Sequence, residues 1–151
     1  MAIYQIVEMG DTVLKEKAIE VTKFGDNLHR LLDDMAETMY QANGVGLAAP
    51  QVGISKRVVV IDVGDGIVEL INPRLVETEG EETEVEGCLS VPGVWGDVTR
   101  AAKVKVTGLN RHGEEVNYEA SGLFARALQH EIDHLEGILF VEKANKIERK
   151  K

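Results

Sequence analysis

No run of apolar residues in this sequence comes near the length that spans a bilayer, which excludes a membrane-spanning helix. Residues 1–20 carry charges throughout and lack the uninterrupted apolar core of a signal peptide, so the expected compartment is the cytoplasm. A basic excess is missing too. The formal net charge is −9, which argues against nucleic acid as a direct substrate, because phosphate binding needs a cationic face. Repeats, low-complexity tracts and Pro- or Ser-rich linkers are absent, so residues 1–151 are expected to form a single domain. No heptad pattern or apolar seam offers a surface for self-association, and a monomer is expected. Cysteine occurs once, at Cys88, so no internal disulfide can form. A lone cysteine is a small buried apolar group, a metal ligand or a nucleophile.

What is present is ordinary for a soluble globular chain, with 44% apolar and 28% charged residues. The charge is unevenly placed. Glu77, Glu79, Glu81, Glu82, Glu84 and Glu86 crowd one segment, while Lys143, Lys146, Arg149, Lys150 and Lys151 make the tail basic. Such a tail could touch an acidic partner such as RNA, or be a solvated terminus.

Periodicity predicts a helix over "DNLHRLLDDMAETMYQAN", with Leu28, Leu31, Leu32, Met35 and Met39 on one face. Asp26 or Asn27 is its expected cap and Asn43-Gly44 its stop. "KRVVVIDV" reads as a buried strand, and "IVELINP" returns from it across the turn signal Gly64-Asp65-Gly66. "KVKVTGLN" and "EEVNYEA" form a second hairpin around Arg111-His112-Gly113. A last helix runs from about Gly122 to Glu136, with Ser121 as N-cap and Gly137 as stop. Helix, strands, then helix, without strict alternation, predicts an α+β fold. Antiparallel or mixed sheets would pack around the C-terminal helix.

That helix carries "LQHEIDHLEG", a His-Glu-x-x-His arrangement. At about 100° per residue, Arg126, Gln129, Asp133 and Glu136 form its only polar arc. Phe124, Leu128, Ile132 and Leu135 face inward, and His130 and His134 lie in the inward sector beside Leu123 and Ala127. Two core histidines bonded to local groups are one reading. A shared cation is the other, since it satisfies two buried imidazoles at once across the roughly 6 Å of one helical turn. Glu131, about 100° round from His130, is near enough to act beside a metal without ligating it.

A peptidase built on this motif takes a third ligand from a later Glu or His, yet only residues 138–151 follow Gly137. The candidate third ligand lies upstream. Cys88 sits in "EGCLSVPG", where Gly87 is expected to relieve backbone strain and Pro92-Gly93 to turn the chain. Two imidazoles and a thiolate leave a tetrahedral cation one open position, as catalytic sites do. A cysteine nucleophile with a histidine base, and an inert buried cysteine, stay open. A third segment, "GVGLAAPQVG", lacks the Gly-Lys-Ser/Thr end of a phosphate loop and has no strand leading into it. It is a small-residue wall carrying one polar amide, Gln51.

Together, "GVGLAAPQVG", "EGCLSVPG" and "QHEIDHLEG" resemble the three signature motifs of the peptide deformylase family, in order and with fitting separations. The similarity covers nearly all of the chain. It implies a cytoplasmic, metal-dependent hydrolase that removes the formyl group from the N-terminal formyl-methionine of newly synthesised peptides and releases formate. It further implies Cys88, His130 and His134 as metal ligands, Glu131 as general acid/base, and Gln51 with the Leu89 N–H as oxyanion donors. The metal would be Fe(II), with Zn, Ni or Co able to replace it. A water on such a cation has its pKa lowered from about 15.7 toward about 7 and is the expected nucleophile. Gly44, Val45 and Gly46 are candidates for main-chain pairing with the peptide, and Val45, Leu123 and Ala127 for the methionine pocket. The chain departs from the family at Gly10, where a proline is common, and at Trp95, where some members carry an arginine. It also stops soon after "LFVEKANKIERKK", so ribosome contact through a long C-terminal helix is not implied. A metallopeptidase cleaving ordinary peptide bonds and a catalytically silent binding module are the alternatives.

Overall fold

The computed structural model of the chain describes residues 3–149. Lys150, Lys151 and the side chains of Lys146 and Arg149, most of the basic tail, lie outside the described residues. Among the described residues, eight strands and two α-helices follow in the order α1 (Asp26–Gln41), β1 (Gly46–Ala48), β2 (Val58–Ile61), β3 (Val68–Glu79), β4 (Glu82–Cys88), β5 (Val91–Arg100), β6 (Lys103–Leu109), β7 (Glu115–Ser121), α2 (Gly122–Leu135) and β8 (Ala144–Arg149). The class is α+β, as expected. Five strands form one sheet in the order β1-β2-β3-β6-β7, and three form another in the order β4-β5-β8. Every paired strand is antiparallel. No helix among the described residues is long and apolar enough to cross a membrane.

The first sheet follows from its apolar runs. All four residues of β2 are buried, and the strand pairs with β3 across the glycine turn. The β6–β7 hairpin has the expected partners, from Leu109↔Glu115 to Lys103↔Ser121. Helix α1 buries Leu28, Leu31, Leu32, Met35 and Met39 against Leu47, Val58 and Val60. Its N-cap is Gly25, with no side-chain cap; Asp26 instead lies inside the first turn, where its carboxylate complements the helix dipole. Helix α2 packs Ala125, Ala127, Leu128 and Leu135 into a cluster with Val59, Ile61, Leu70, Val104 and Val106 of that sheet.

Two expectations about α2 need correction. Its polar arc faces solvent only at Glu136: Arg126 and Gln129 are buried and Asp133 is half-buried, because long-range partners reach each of them. Conversely Leu123, placed in the inward sector, is 53% exposed. The reason given for Gly87 also fails. It is not among the glycines with positive φ. The turn after Cys88 is made by Leu89-Ser90, and Pro92-Gly93 lie within β5.

Candidate metal centre and substrate groove

Three separately folded pieces meet at one place. Helix α2 supplies His130, Glu131 and His134; the end of β4 supplies Cys88; a single 3₁₀ turn after β1, Ala49–Val52, supplies Gln51. One potential ligand atom each from Cys88, His130 and His134 lies within 4.8 Å of the other two. Sγ of Cys88 is 3.3 Å from Nε2 of His134. The two imidazoles are 5.0 Å apart between ring centroids, close to the spacing that one helical turn imposes. His130 also stacks on the buried ring of Phe140, centroids 6.2 Å apart.

The charges around these donors are arranged for a cation. Burial works against a charged His130, yet Cys88 and Glu86 beside it outweigh burial and push its pKa up to about 10. Burial, together with the positive charges of His130 and Arg100, holds His134 well below the usual histidine range, leaving a neutral imidazole with a free lone pair. Burial pushes the Glu131 carboxyl up to about 7, against the pull of His130 and Arg100. Three buried side-chain atoms find no partner among the described residues, and two of them are here: Oε1 of Glu131 and Nδ1 of His134. A pocket that draws positive charge, presents one sulfur and two nitrogens, and keeps a carboxylate oxygen unbonded fits a borderline divalent cation.

Residues that sequence reasoning passed over hold the donors in place. Glu86 Oε1 lies 2.9 Å from Nδ1 of His130, while its Oε2 accepts from Nε of Arg100 at 2.6 Å and Nη1 of Arg126 at 2.5 Å. Arg126 also donates to the carbonyls of Val98 and Glu82, and Arg100 to Asp133. Burial alone would raise the Glu86 carboxyl; the hydrogen bonds from His130 and Arg100 outweigh it and hold its pKa down to about 2. The carboxylate therefore fixes the ring orientation of His130, and α2 is tied to the strands that carry Cys88. The only sequence signal was a glutamate two residues before the cysteine, indistinguishable from its exposed neighbours.

Gln51 is buried and its amide orientation is unambiguous. Oε1 accepts from the Ala48 N–H at 3.0 Å, so Nε2 points toward Ser90 Oγ at 3.1 Å and Cys88 Sγ at 3.5 Å. Leu89 lies in the turn directly after Cys88 and lines the same groove as Gly44, Val45, Gly46, Gln51, Leu123 and Ala127. The groove measures about 460 Å³, and His130 and Glu131 stand in its wall. Val45 and Leu123 are 44% and 53% exposed, while Ala127 is buried. All of the candidate site residues read from the sequence but His134 border this groove; His134 is 1% exposed and lies behind Cys88.

The polypeptide deformylase family model matches residues 3–150. The peptide deformylase of Carboxydothermus hydrogenoformans is 62% identical over 150 residues, covering 99% of both chains. That of Desulfitobacterium hafniense is 64% identical over 150 residues, covering 99% of this chain and all of the relative. Among solved structures, the peptide deformylase of Thermotoga maritima superposes with a TM-score of 0.94 at 46% identity, covering 96% of this chain and 99% of its own. The Synechococcus elongatus enzyme in complex with actinonin gives 0.92 at 44% identity, covering 95% of this chain and 79% of its own.

Proposed function

The chain belongs to the polypeptide deformylase family, and from that premise we propose how its residues carry out deformylation. The protein is a metalloenzyme that removes the formyl group from the N-terminal formyl-methionine of newly made peptides and releases formate. The observation that carries the assignment of residues is the convergence of Cys88, His130 and His134, with Glu131 beside them, at the wall of one groove.

In this reading Cys88, His130 and His134 hold the cation, Fe(II) in the cell, with Zn, Ni or Co able to take its place. A cation bound there lowers the pKa of a water toward about 7 and polarises a carbonyl. Glu131 takes the proton from the attacking water at Oε1, the oxygen without a partner, and delivers it to the departing amine nitrogen. A carboxyl raised by burial is suited to both halves of that transfer. Nε2 of Gln51 and the N–H of Leu89 donate to the formyl oxygen as it gains negative charge. Glu86 keeps His130 turned toward the site.

The peptide pairs main chain to main chain with Gly44, Val45 and Gly46, as an added strand would. Its methionine side chain is seated by Val45, Leu123 and Ala127. A formyl carbon bears only hydrogen, so a wall of glycine and alanine admits it and obstructs bulkier acyl groups. Residues 1–151 act as one catalytic domain, a cytoplasmic monomer whose substrates are nascent chains.

Incubation of the metal-loaded protein with formyl-Met-Ala-Ser and, separately, Met-Ala-Ser tests the reading. Formate from the first and nothing from the second is expected. Free amino acids from the second would make the protein a peptidase instead.

A further inference from the structure

The N-terminal segment, which the chemistry above leaves unused, touches all three motif segments through its main chain. The Tyr4 N–H donates to Oγ1 of the buried Thr38 on α1 at 2.9 Å. The Val7 N–H donates to the carbonyl of Gln51 at 2.8 Å, and the Met9 N–H to the carbonyl of Ser90 at 2.8 Å. Beyond them Leu14, fully buried, packs with Val91, Leu139 and Phe140, and Val7 and Cys88 lie against the same cluster. The Ala18 N–H then reaches the carbonyl of Leu135 at the end of α2, at 2.8 Å. The segment is thus anchored at both ends, and its middle grips the two loops that carry the oxyanion donors.

Those donors come from separate pieces of chain: Nε2 of Gln51 from the 3₁₀ turn after β1, the N–H of Leu89 from the turn after Cys88. The side-chain contacts that join the pieces, Nε2 of Gln51 to Oγ of Ser90 at 3.1 Å and to Sγ of Cys88 at 3.5 Å, use the amide that must also serve the formyl oxygen. The N-terminal main chain is free of that duty. Only Glu8 lies between Val7 and Met9, so the two carbonyls are held by amides no more than about 7 Å apart along the chain. We propose that Val7 and Met9 are positioning residues: their N–H groups form a clamp that fixes the spacing of the Gln51 and Leu89 donors. Neither residue lines the groove, and each acts through the carbonyl it holds. Donors aimed in advance stabilise the oxyanion without reorganising, and a misplacement of about 1 Å can cost about 10²-fold in rate. The inference rests on the deformylase reading for the role of those donors.

Met9 allows a direct test. The Asp11 N–H bonds the carbonyl of Glu8 at 3.1 Å and Gly10 has a φ of 112°, which makes Glu8–Asp11 a type II turn with Met9 in its second position. Proline is favoured there, so Met9→Pro deletes the N–H and keeps the turn. The Met9 side chain is 51% exposed, so Met9→Ala removes little and retains the N–H. With the metal-loaded full chain and formyl-Met-Ala-Ser, Met9→Pro is expected to lower kcat about 10- to 100-fold, with KM within about threefold and metal content unchanged. Met9→Ala should keep kcat within about twofold of the wild type. In a Gln51→Ala background, which has already lost one of the two donors, the further loss from Met9→Pro should shrink below about fivefold. A purely structural role would leave that factor the same in both backgrounds. Should the proline variant fail to fold, the α-hydroxy analogue of methionine at position 9 removes the same N–H without a ring and is held to the same outcomes. Wild-type kcat in the protein lacking this N–H, an equal loss in Met9→Ala, or an undiminished factor in the Gln51→Ala background would overturn the proposal. No formate from the wild type would remove the deformylase reading and the clamp with it, whereas formate from the wild type beside an unimpaired Met9→Pro would overturn the clamp alone.

Discussion

Gly46 and Glu131 are so close that a single added carbon would separate them: a Cβ on Gly46 would lie 2.6 Å from Oε2 of Glu131. Gly44 stands in the same relation to Leu89, whose Cδ1 would be 2.8 Å from its Cβ. The small residues of the first motif are thus required by side chains of the other two. Gly46 gives the carboxylate its room, and Gly44 gives it to the turn that follows the cysteine.

Gly46→Ala should therefore displace Glu131 without touching a ligand. The expected result is a fall in kcat of about 10²-fold or more, of the order lost with a general acid/base, with metal content unchanged. Steady-state formate assays beside metal analysis of the same sample check it, and normal turnover would show that Glu131 has other room to occupy.

Glu131→Ala should bind metal as the wild type does and lose about 10²–10⁴-fold in turnover. The variant also removes a buried carboxyl that lacks a partner at Oε1, so its thermal midpoint should hold or rise. Near-normal activity would take Glu131 out of the chemistry.

Gln51→Ala should lower kcat by about 10²–10³-fold, the cost of losing one oxyanion donor. The Ala48 N–H also loses its acceptor, so stability must be measured alongside. A kcat loss with the fold intact separates the two effects.

Glu86→Gln should weaken metal affinity by about 10–100-fold, because the acceptor that orients His130 loses its charge. The same carboxylate makes a prediction about acid. Its folded pKa is held down to about 2 from an ordinary 4.5, against burial, by His130 and Arg100, with Arg126 also bonded to it and Asp133 on the far side of Arg100. A depressed carboxylate stabilises the fold fully above its unfolded pKa and loses that contribution as pH falls through its folded value. The thermal midpoint should accordingly drop between about pH 4.5 and 2, and Glu86→Gln should flatten the curve in that window. Thermal scans across that range, wild type against variant, check the sign.

Much of this was legible in the sequence where local pattern and tertiary demand agree. The apolar period of α1, the β-branched run of β2, the hairpin around Arg111–Gly113 and the stretch from Ser121 to Gly137 all specify their elements within a few residues. The three-stranded sheet was not legible. In β4 the alternation that marks a half-buried strand is hidden, because exposed glutamates flank the one glutamate, Glu86, that turns inward. Arg126 was read as a surface residue for a similar reason: nothing in its own helix reveals that Glu86, Val98 and Glu82 come to meet it. Gly87 was given a backbone role when its role is to lie under Trp95. Each miss concerns a contact between residues distant in the chain or a bulge that no local propensity encodes.

The most direct test of the account is to load the metal-free protein with Co(II) and read its stoichiometry and absorption, wild type against Cys88→Ser. One cobalt per chain, with a thiolate-to-cobalt charge-transfer band that the variant loses while His130 and His134 still bind metal more weakly, is the predicted result. A band of unchanged position and strength in the variant, or no cobalt bound by the wild type, would contradict it.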